Sequence, residues 1–274
     1  MKVIDSSDRL KRHQLEIVLA IDAFCRKNNI HYSLAYGTLI GAVRHHGFIP
    51  WDDDLDICLL RSDYDRLMSE FPNIWKERYK LFSLERDICY TRAYARATDE
   101  STREIIHDNV SLPHMGIGID IFPIDEVPDD DCQWLHYNKW RHRLVRLYMK
   151  KAYLHWEPAH SLPHNIAAMI LKILLAPISF RTIVKHIDRI AREGNGKGYH
   201  HLFEASQGLV SQQRFPRSCF DSYITMSFED HPLQVMAGYD VYLRSIYGDY
   251  MQLPPVEKRI GHHNTTVFLK QSNS

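Results

Sequence analysis

Gly37-Thr38-Leu39-Ile40-Gly41-Ala42-Val43-Arg44-His45-His46-Gly47-Phe48-Ile49-Pro50-Trp51-Asp52-Asp53-Asp54-Leu55-Asp56 is the stretch on which the reading of this chain turns. His31 to Tyr36, just before it, reads as a short strand, and Leu39 to His46 as a helix that Gly47 stops. Pro50 fixes an extended approach to the acids, and Leu55 to Leu60 reads as a buried strand. On a strand, residues i and i+2 share a face, so Asp54 and Asp56 converge while Leu55 points into the core. Two such carboxylates repel unless a cation lies between them. Hard divalent ions, Mg²⁺ or Mn²⁺, take oxygen ligands, and Mg²⁺ characteristically shares them with substrate phosphates. Gly37-Thr38 opens a helix, where free N–H groups and a hydroxyl suit a phosphate, and Arg44 is placed to neutralise a phosphate oxygen. The competing reading is a solvated acidic loop.

Working outward, the chain supplies a third carboxylate. Gly116 to Phe122 reads as a strand with Ile117, Ile119 and Ile121 on one face, which puts Asp120 on the other. Asp125, beyond Pro123, is a weaker candidate. Ser7 or Asp8 caps a first helix to about Asn28, and a further helix spans Ser62 to Phe71. Tyr79 to Leu84 and Tyr90 to Thr98 read as paired strands, with Arg92, Tyr94 and Arg96 on one face. Beyond Pro128 two long helices follow, Asp131 to Tyr153 and Asn165 to Glu193. The expected fold class is α/β (α+β): a mixed sheet flanked by helices over 1–128, then a mainly helical 129–274 that completes the site, the two forming one compact unit.

Composition narrows the function. Among 274 residues, 34 Lys+Arg balance 34 Asp+Glu, which argues against a nucleic-acid binder with its broad basic surplus. The five Cys are odd in number and form no Cys-x-x-Cys pair, so free thiols are expected rather than a disulfide framework or a zinc ribbon. The 17 His show no zinc-ligand spacing. The polar N-terminus lacks the apolar core of a secretory signal, and no apolar run reaches the length of a membrane span. A soluble cytoplasmic protein is the expectation. Ile166 to Ile178, apolar nearly all round, reads first as a buried core helix and alternatively as a shallow peripheral contact with the inner face of the cell membrane.

The stretch from Gly37 to Asp56 resembles the signature of the LicD family of phosphocholine transferases, which fukutin and fukutin-related protein share. Two weaker matches accompany it: Ile119-Asp120-Ile121-Phe122-Pro123-Ile124-Asp125, and Tyr239-Asp240-Val241-Tyr242-Leu243 with Tyr247-Gly248-Asp249-Tyr250-Met251-Gln252-Leu253-Pro254, Arg259 and His262. The resemblance implies a nucleotidyltransferase-type fold. It also implies transfer of a substituted phosphate from a CDP-activated donor, usually CDP-choline and in relatives CDP-ribitol or CDP-glycerol. The acceptor would be a hydroxyl of a glycan such as lipopolysaccharide, teichoic acid or capsule, or of its lipid-linked precursor. On this reading Asp54 and Asp56 carry over as the metal-holding pair, with Asp52 as a further acidic position and His262 as a phosphate contact.

The chemistry expected is a metal-assisted transfer: ions held by Asp54, Asp56 and Asp120 bridge the donor pyrophosphate, and CMP leaves. Asp120 or Asp52 accepts the hydroxyl proton. Gly37, Thr38, Arg44, Arg92 and Arg96 are candidate phosphate contacts. A choline headgroup would be held by aromatic faces, from Tyr148, Tyr153 and Trp156 or from Tyr239, Tyr242 and Tyr247. Two other readings stay open: nucleotidyl transfer that releases pyrophosphate, and a catalytically silent scaffold for glycan assembly.

Overall fold

The computed structural model describes residues 2–4, 7–106, 115–153, 162–206, 213–259 and 265–270. In the first half the order is β1 (Lys2–Ile4), α1 (Ser7–Lys27), β2 (Ser33–Leu34), α2 (Tyr36–His45), β3 (Asp56–Leu60), α3 (Arg61–Glu70), β4 (Tyr79–Phe82), β5 (Ala95–Asp99), β6 (Thr102–Ile106) and β7 (Gly118–Val127). In the second half it is α4 (Asp131–Tyr153), α5 (Leu162–Leu175), α6 (Phe180–Arg192), β8 (His201–Phe203), β9 (Phe215–Pro216), β10 (Tyr223–Phe228), β11 (His231–Met236), α7 (Tyr239–Tyr247) and β12 (Thr265–Leu269).

The centre is a mixed sheet in the order β2-β3-β7-β5-β4, with β8 added along the C-terminal part of β7 and β9 beyond it. Among the described residues only β3 and β7 run parallel in this sheet; the other pairs are antiparallel. A β3–β7 parallel pair needs a long crossover, and the chain between them supplies α3, β4, β5 and β6. The sheet is packed by helices whose apolar residues recur at helical spacing. From α1, Ile17, Val18, Ile21, Phe24 and Cys25 are buried, and α3 buries Tyr64, Leu67 and Met68. Ile57, Cys58 and Leu59 of β3 and Ile119, Ile121, Phe122 and Ile124 of β7 are almost wholly buried. Both faces of these strands are therefore covered, which is why they read as near-continuous apolar runs. The α/β (α+β) class expected from the sequence, with a mixed sheet flanked by helices, is the one observed.

The two halves are tied by one buried ion network. Arg61, at the start of α3, makes a bidentate pair with Asp125 of β7, at 2.7 Å for each contact, and reaches Asp188 of α6 at 3.1 Å. Asn195, just after α6, donates to the same Asp125 at 2.6 Å. Asp125 is thus committed to structure, on the face of β7 opposite Asp120.

The single helix expected over Asn165 to Glu193 is instead two, α5 and α6, separated at Ala176–Ser179. Pro177 cannot continue the helix, and Ser179 caps the next one, its side chain accepting from Thr182 N–H at 3.0 Å. The reading of Ile166 to Ile178 as a buried core helix is also corrected. Ile166, Met169, Ile170, Ile173, Leu174 and Ile178 are exposed. Among the described residues, α4 and α6 bury Val145, Ile183, Val184 and Ile187 against one another, and no residue of α5 joins that cluster.

Candidate active site

The sheet sets three charged side chains in a row. Register pairs Asp56 of β3 with Asp120 of β7, and Asp120 with Arg96 of β5. The approach to β3 is bonded to β7 as well, Asp120 N–H donating to the Leu55 carbonyl at 3.1 Å. Arg96 donates to Asp120 at 2.9 Å and to Glu104 at 2.8 Å. Arg92 lies 3.5 Å from the other Asp120 oxygen and donates to the Tyr94 hydroxyl at 2.6 Å. Gly118, two residues before Asp120, leaves the space that the Arg96 side chain fills; a Cβ there would lie 2.7 Å from Arg96 Nε.

The acid run ends against this row. Asp52, Asp53 and Asp54 offer carboxylate oxygens that all lie within 4.8 Å of one another. The loop that carries them is held from α1, where Gln14 donates to the Asp53 carbonyl at 2.9 Å and Lys11 to those of Ile49 and Pro50 at 3.2 Å each. At the start of α2, Thr38 Oγ1 accepts the Asp56 N–H at 2.8 Å. Gly37 is needed where it stands, since a Cβ would sit 2.6 Å from Asp52 Oδ2.

Crowded carboxylates resist ionisation. Burial, then the charges of Asp54 and Asp53 and a hydrogen bond with Asp54, push the Asp52 carboxyl up to about 7. Burial and the charges of Asp54, Asp120 and Asp52 raise Asp56 well above the usual carboxylate range, against the opposing pull of Arg96. Tyr247, at the end of α7, feels the same field: burial, then Asp56, Asp52 and Asp54, push its hydroxyl up.

A cationic patch adjoins the loop. Arg44 donates to the Tyr250 carbonyl at 2.7 Å, and burial together with the nearby Arg259 pushes its guanidinium down. Arg259 stacks over Trp51 at 5.3 Å from the ring centre and donates to the Pro254 carbonyl at 2.9 Å. Two like charges this close make a place for an anion.

Among the residues singled out from sequence, the structure brings Asp52, Asp54, Asp56, Asp120, Gly37, Thr38 and Arg96 into one region, with Arg44 in the last turn of α2. Thr38 enters through its hydroxyl oxygen as the tether of Asp56. Of the aromatic residues, Tyr242 is wholly buried against Phe215 and Tyr148 packs on Phe180, so both serve the core. Tyr247 remains beside the acids. His262 and Trp156 lie outside the described residues, and so does the Tyr153 side chain. Sequence reasoning did not single out Asp53, although it stands inside the acidic run.

Residues 29–163 match the family described as LicD/FKTN/FKRP, nucleotidyltransferase domain. Over an aligned length of 274 residues, covering 95% of this chain and 98% of the other, the chain is 31% identical to the lipopolysaccharide cholinephosphotransferase LicD of Haemophilus influenzae. It is also 44% identical over 68 residues to the uncharacterized protein RP689 of Rickettsia prowazekii, a match covering 25% of this chain and 23% of that one.

Proposed function

The chain belongs to the LicD/FKTN/FKRP family, and from that premise we propose that it is a transferase that moves phosphocholine, or a related phospho-alditol group, from a CDP-activated donor to a hydroxyl of a cell-surface glycan. A lipopolysaccharide or its precursor is the first acceptor class to test, because the relative matched along nearly its whole length is named for that acceptor. The observation that carries the reading is the Asp56–Asp120 register pair with Asp52, Asp53 and Asp54 crowded beside it.

In the reaction proposed, the acceptor oxygen bonds to the phosphorus that bears the headgroup, the bond from that phosphorus to the bridging oxygen breaks, and CMP departs with the electron pair. The acceptor proton passes to a carboxylate. Asp52 suits that role by position, since it stands at the outer end of the acidic run against Gly37. Asp120 is the alternative, but its oxygens already take Arg96 and Arg92. Arg44 and Arg259 would bind phosphate oxygens, and Tyr247 would face the headgroup.

An all-oxygen donor set under mutual repulsion fits a hard divalent cation. Asp52, Asp53 and Asp54, with Asp56 and Asp120 adjoining, would hold Mg²⁺ or Mn²⁺. Such an ion, when bound, neutralises pyrophosphate charge and stabilises the departing CMP.

The test is CMP release by the purified chain, given CDP-choline, CDP-ethanolamine, CDP-ribitol or CDP-glycerol and a lipopolysaccharide acceptor, with divalent cation present or chelated. Acceptor-dependent CMP with one donor supports the proposal. Pyrophosphate in place of CMP assigns nucleotidyl transfer instead, and no product from any donor overturns it.

A further inference from the structure

We propose that α5 and the basic face of α4 together form a docking surface for an anionic lipid bilayer. The first observation is the pattern on α5. Ile166, Met169, Ile170, Ile173 and Leu174 fall at i, i+3, i+4, i+7 and i+8, the spacing that places apolar side chains on one stripe. Such a stripe ordinarily faces a core, yet here all five residues are exposed, Ile173 by 69% and Leu174 by 66%. A contiguous exposed apolar strip marks an interaction site.

The second observation says what covers it. On α4, Lys139, Arg143, Arg146 and Lys150 are all exposed, and their spacing of four, three and four puts them on one face. Trp140, 49% exposed, stands beside them with the Arg143 guanidinium 4.8 Å from its ring centre. The two helices are joined where the basic face ends: Lys151 of α4 donates to the Leu175 carbonyl of α5 at 2.8 Å. Lys172 on α5, and Lys185 and Arg189 on α6, are exposed as well.

The charge is concentrated to a degree that the neutral total conceals. Residues 131–192 carry eleven Lys and Arg against three Asp and Glu, while the rest of the chain carries twenty-three against thirty-one. An apolar strip joined at its end to a helix that carries exposed Lys, Arg and Trp is the composition that settles at an anionic headgroup layer. A second copy of the chain fits the same face poorly. A two-fold contact sets each patch against its own image, so the basic face of one copy would meet that of the other. Spanning is not at issue, because among the described residues no helix is long and apolar enough to cross a membrane. At 14 residues, α5 would lie in the plane of the surface.

The experiment uses the whole chain and vesicles of phosphatidylcholine alone or mixed equally with phosphatidylglycerol, and reads cosedimentation. It does not depend on turnover, so its failure would leave the transferase reading standing. Partition onto the mixed vesicles is expected to fall at least about tenfold in Ile170→Gln/Ile173→Gln/Leu174→Gln and in Arg143→Gln/Arg146→Gln/Lys150→Gln, and to weaken between about 50 mM and about 500 mM salt. Both variants change exposed positions and should keep the wild-type circular dichroism melt. The proposal is overturned if the wild-type chain stays in the supernatant with mixed vesicles, or if the α5 variant sediments as the wild type does. It is also overturned if light scattering finds a wild-type dimer that the α5 substitutions dissociate while vesicle binding is absent.

Discussion

Asp56 and Asp120 stand directly opposite one another in the parallel register of β3 and β7, and Arg96 faces Asp120 from the far side. The two acids are thereby unlike. Asp120 has a guanidinium at 2.9 Å, whereas Asp56 is pressed by Asp54, Asp120 and Asp52.

Asp56→Asn should separate activity from stability. It removes one of several repelling charges, so the cation-free protein should melt at the wild-type temperature or slightly above it. CMP release should fall by about two to three orders of magnitude, since a carboxylate that would help hold the divalent ion is gone. Parallel melts and a CMP assay check both; wild-type turnover in this variant would remove Asp56 from the site.

Gly37→Ala tests the close approach at α2. Its Cβ would meet Asp52 Oδ2 at 2.6 Å, so the carboxylate must shift. A displacement near 1 Å at a reacting group lowers rate by about 10²-fold. The expected signature is a fall in kcat with little change in the urea midpoint.

Cation binding should be pH-dependent around neutrality. Asp52 keeps its proton up to about 7, so a divalent ion must displace it. Affinity should drop as pH falls below about 7. Calorimetry in buffers of different ionisation enthalpy should register proton release near pH 7, and Asp52→Asn should suppress it.

Acid stability should depend on Asp99. Burial pushes its carboxyl up, but hydrogen bonds from His13, Arg78 and Ser101 outweigh this and hold it well below the usual range. A carboxyl lowered in the folded state adds stability that is complete above its unfolded value of about 4 and is lost as pH falls toward its folded value. Urea midpoints should therefore decline below about pH 4 in the wild type, and less steeply in Asp99→Asn.

Arg61→Ala should destabilise the chain by about 3–5 kcal/mol, because it strands Asp125 as a buried charge without its bidentate partner. Urea unfolding measures it. Activity per folded molecule should change far less, since Asp125 and Asp120 lie on opposite faces of β7.

The parts of this protein governed by local periodicity were legible in its sequence. The period of two put Asp120 on the face away from Ile119 and Ile121, and the register then set it beside Asp56. Helical spacing predicts Asp131 to Tyr153 with the bounds observed for α4. What depends on tertiary partners was not legible. Arg96 reads as a phosphate contact; its bond to Asp120 follows from the register of β5 on β7, and its bond to Glu104 from β6, a strand of another sheet. Asp53 carries no spacing signal, because alternation along an extended chain turns it away from Asp52 and Asp54; yet the three carboxylates lie together in the irregular stretch between α2 and β3. The apolar stripe on α5 is visible as a pattern, but a pattern does not say on which side the water lies.

The segregation of charge along the chain has a practical outcome at the bench. A protein of zero formal charge and isoelectric point near 7.3 would ordinarily pass through a cation-exchange column at neutral pH. This one should be retained there, because the resin meets the helical stretch first and the molecule turns like a compass needle to present it.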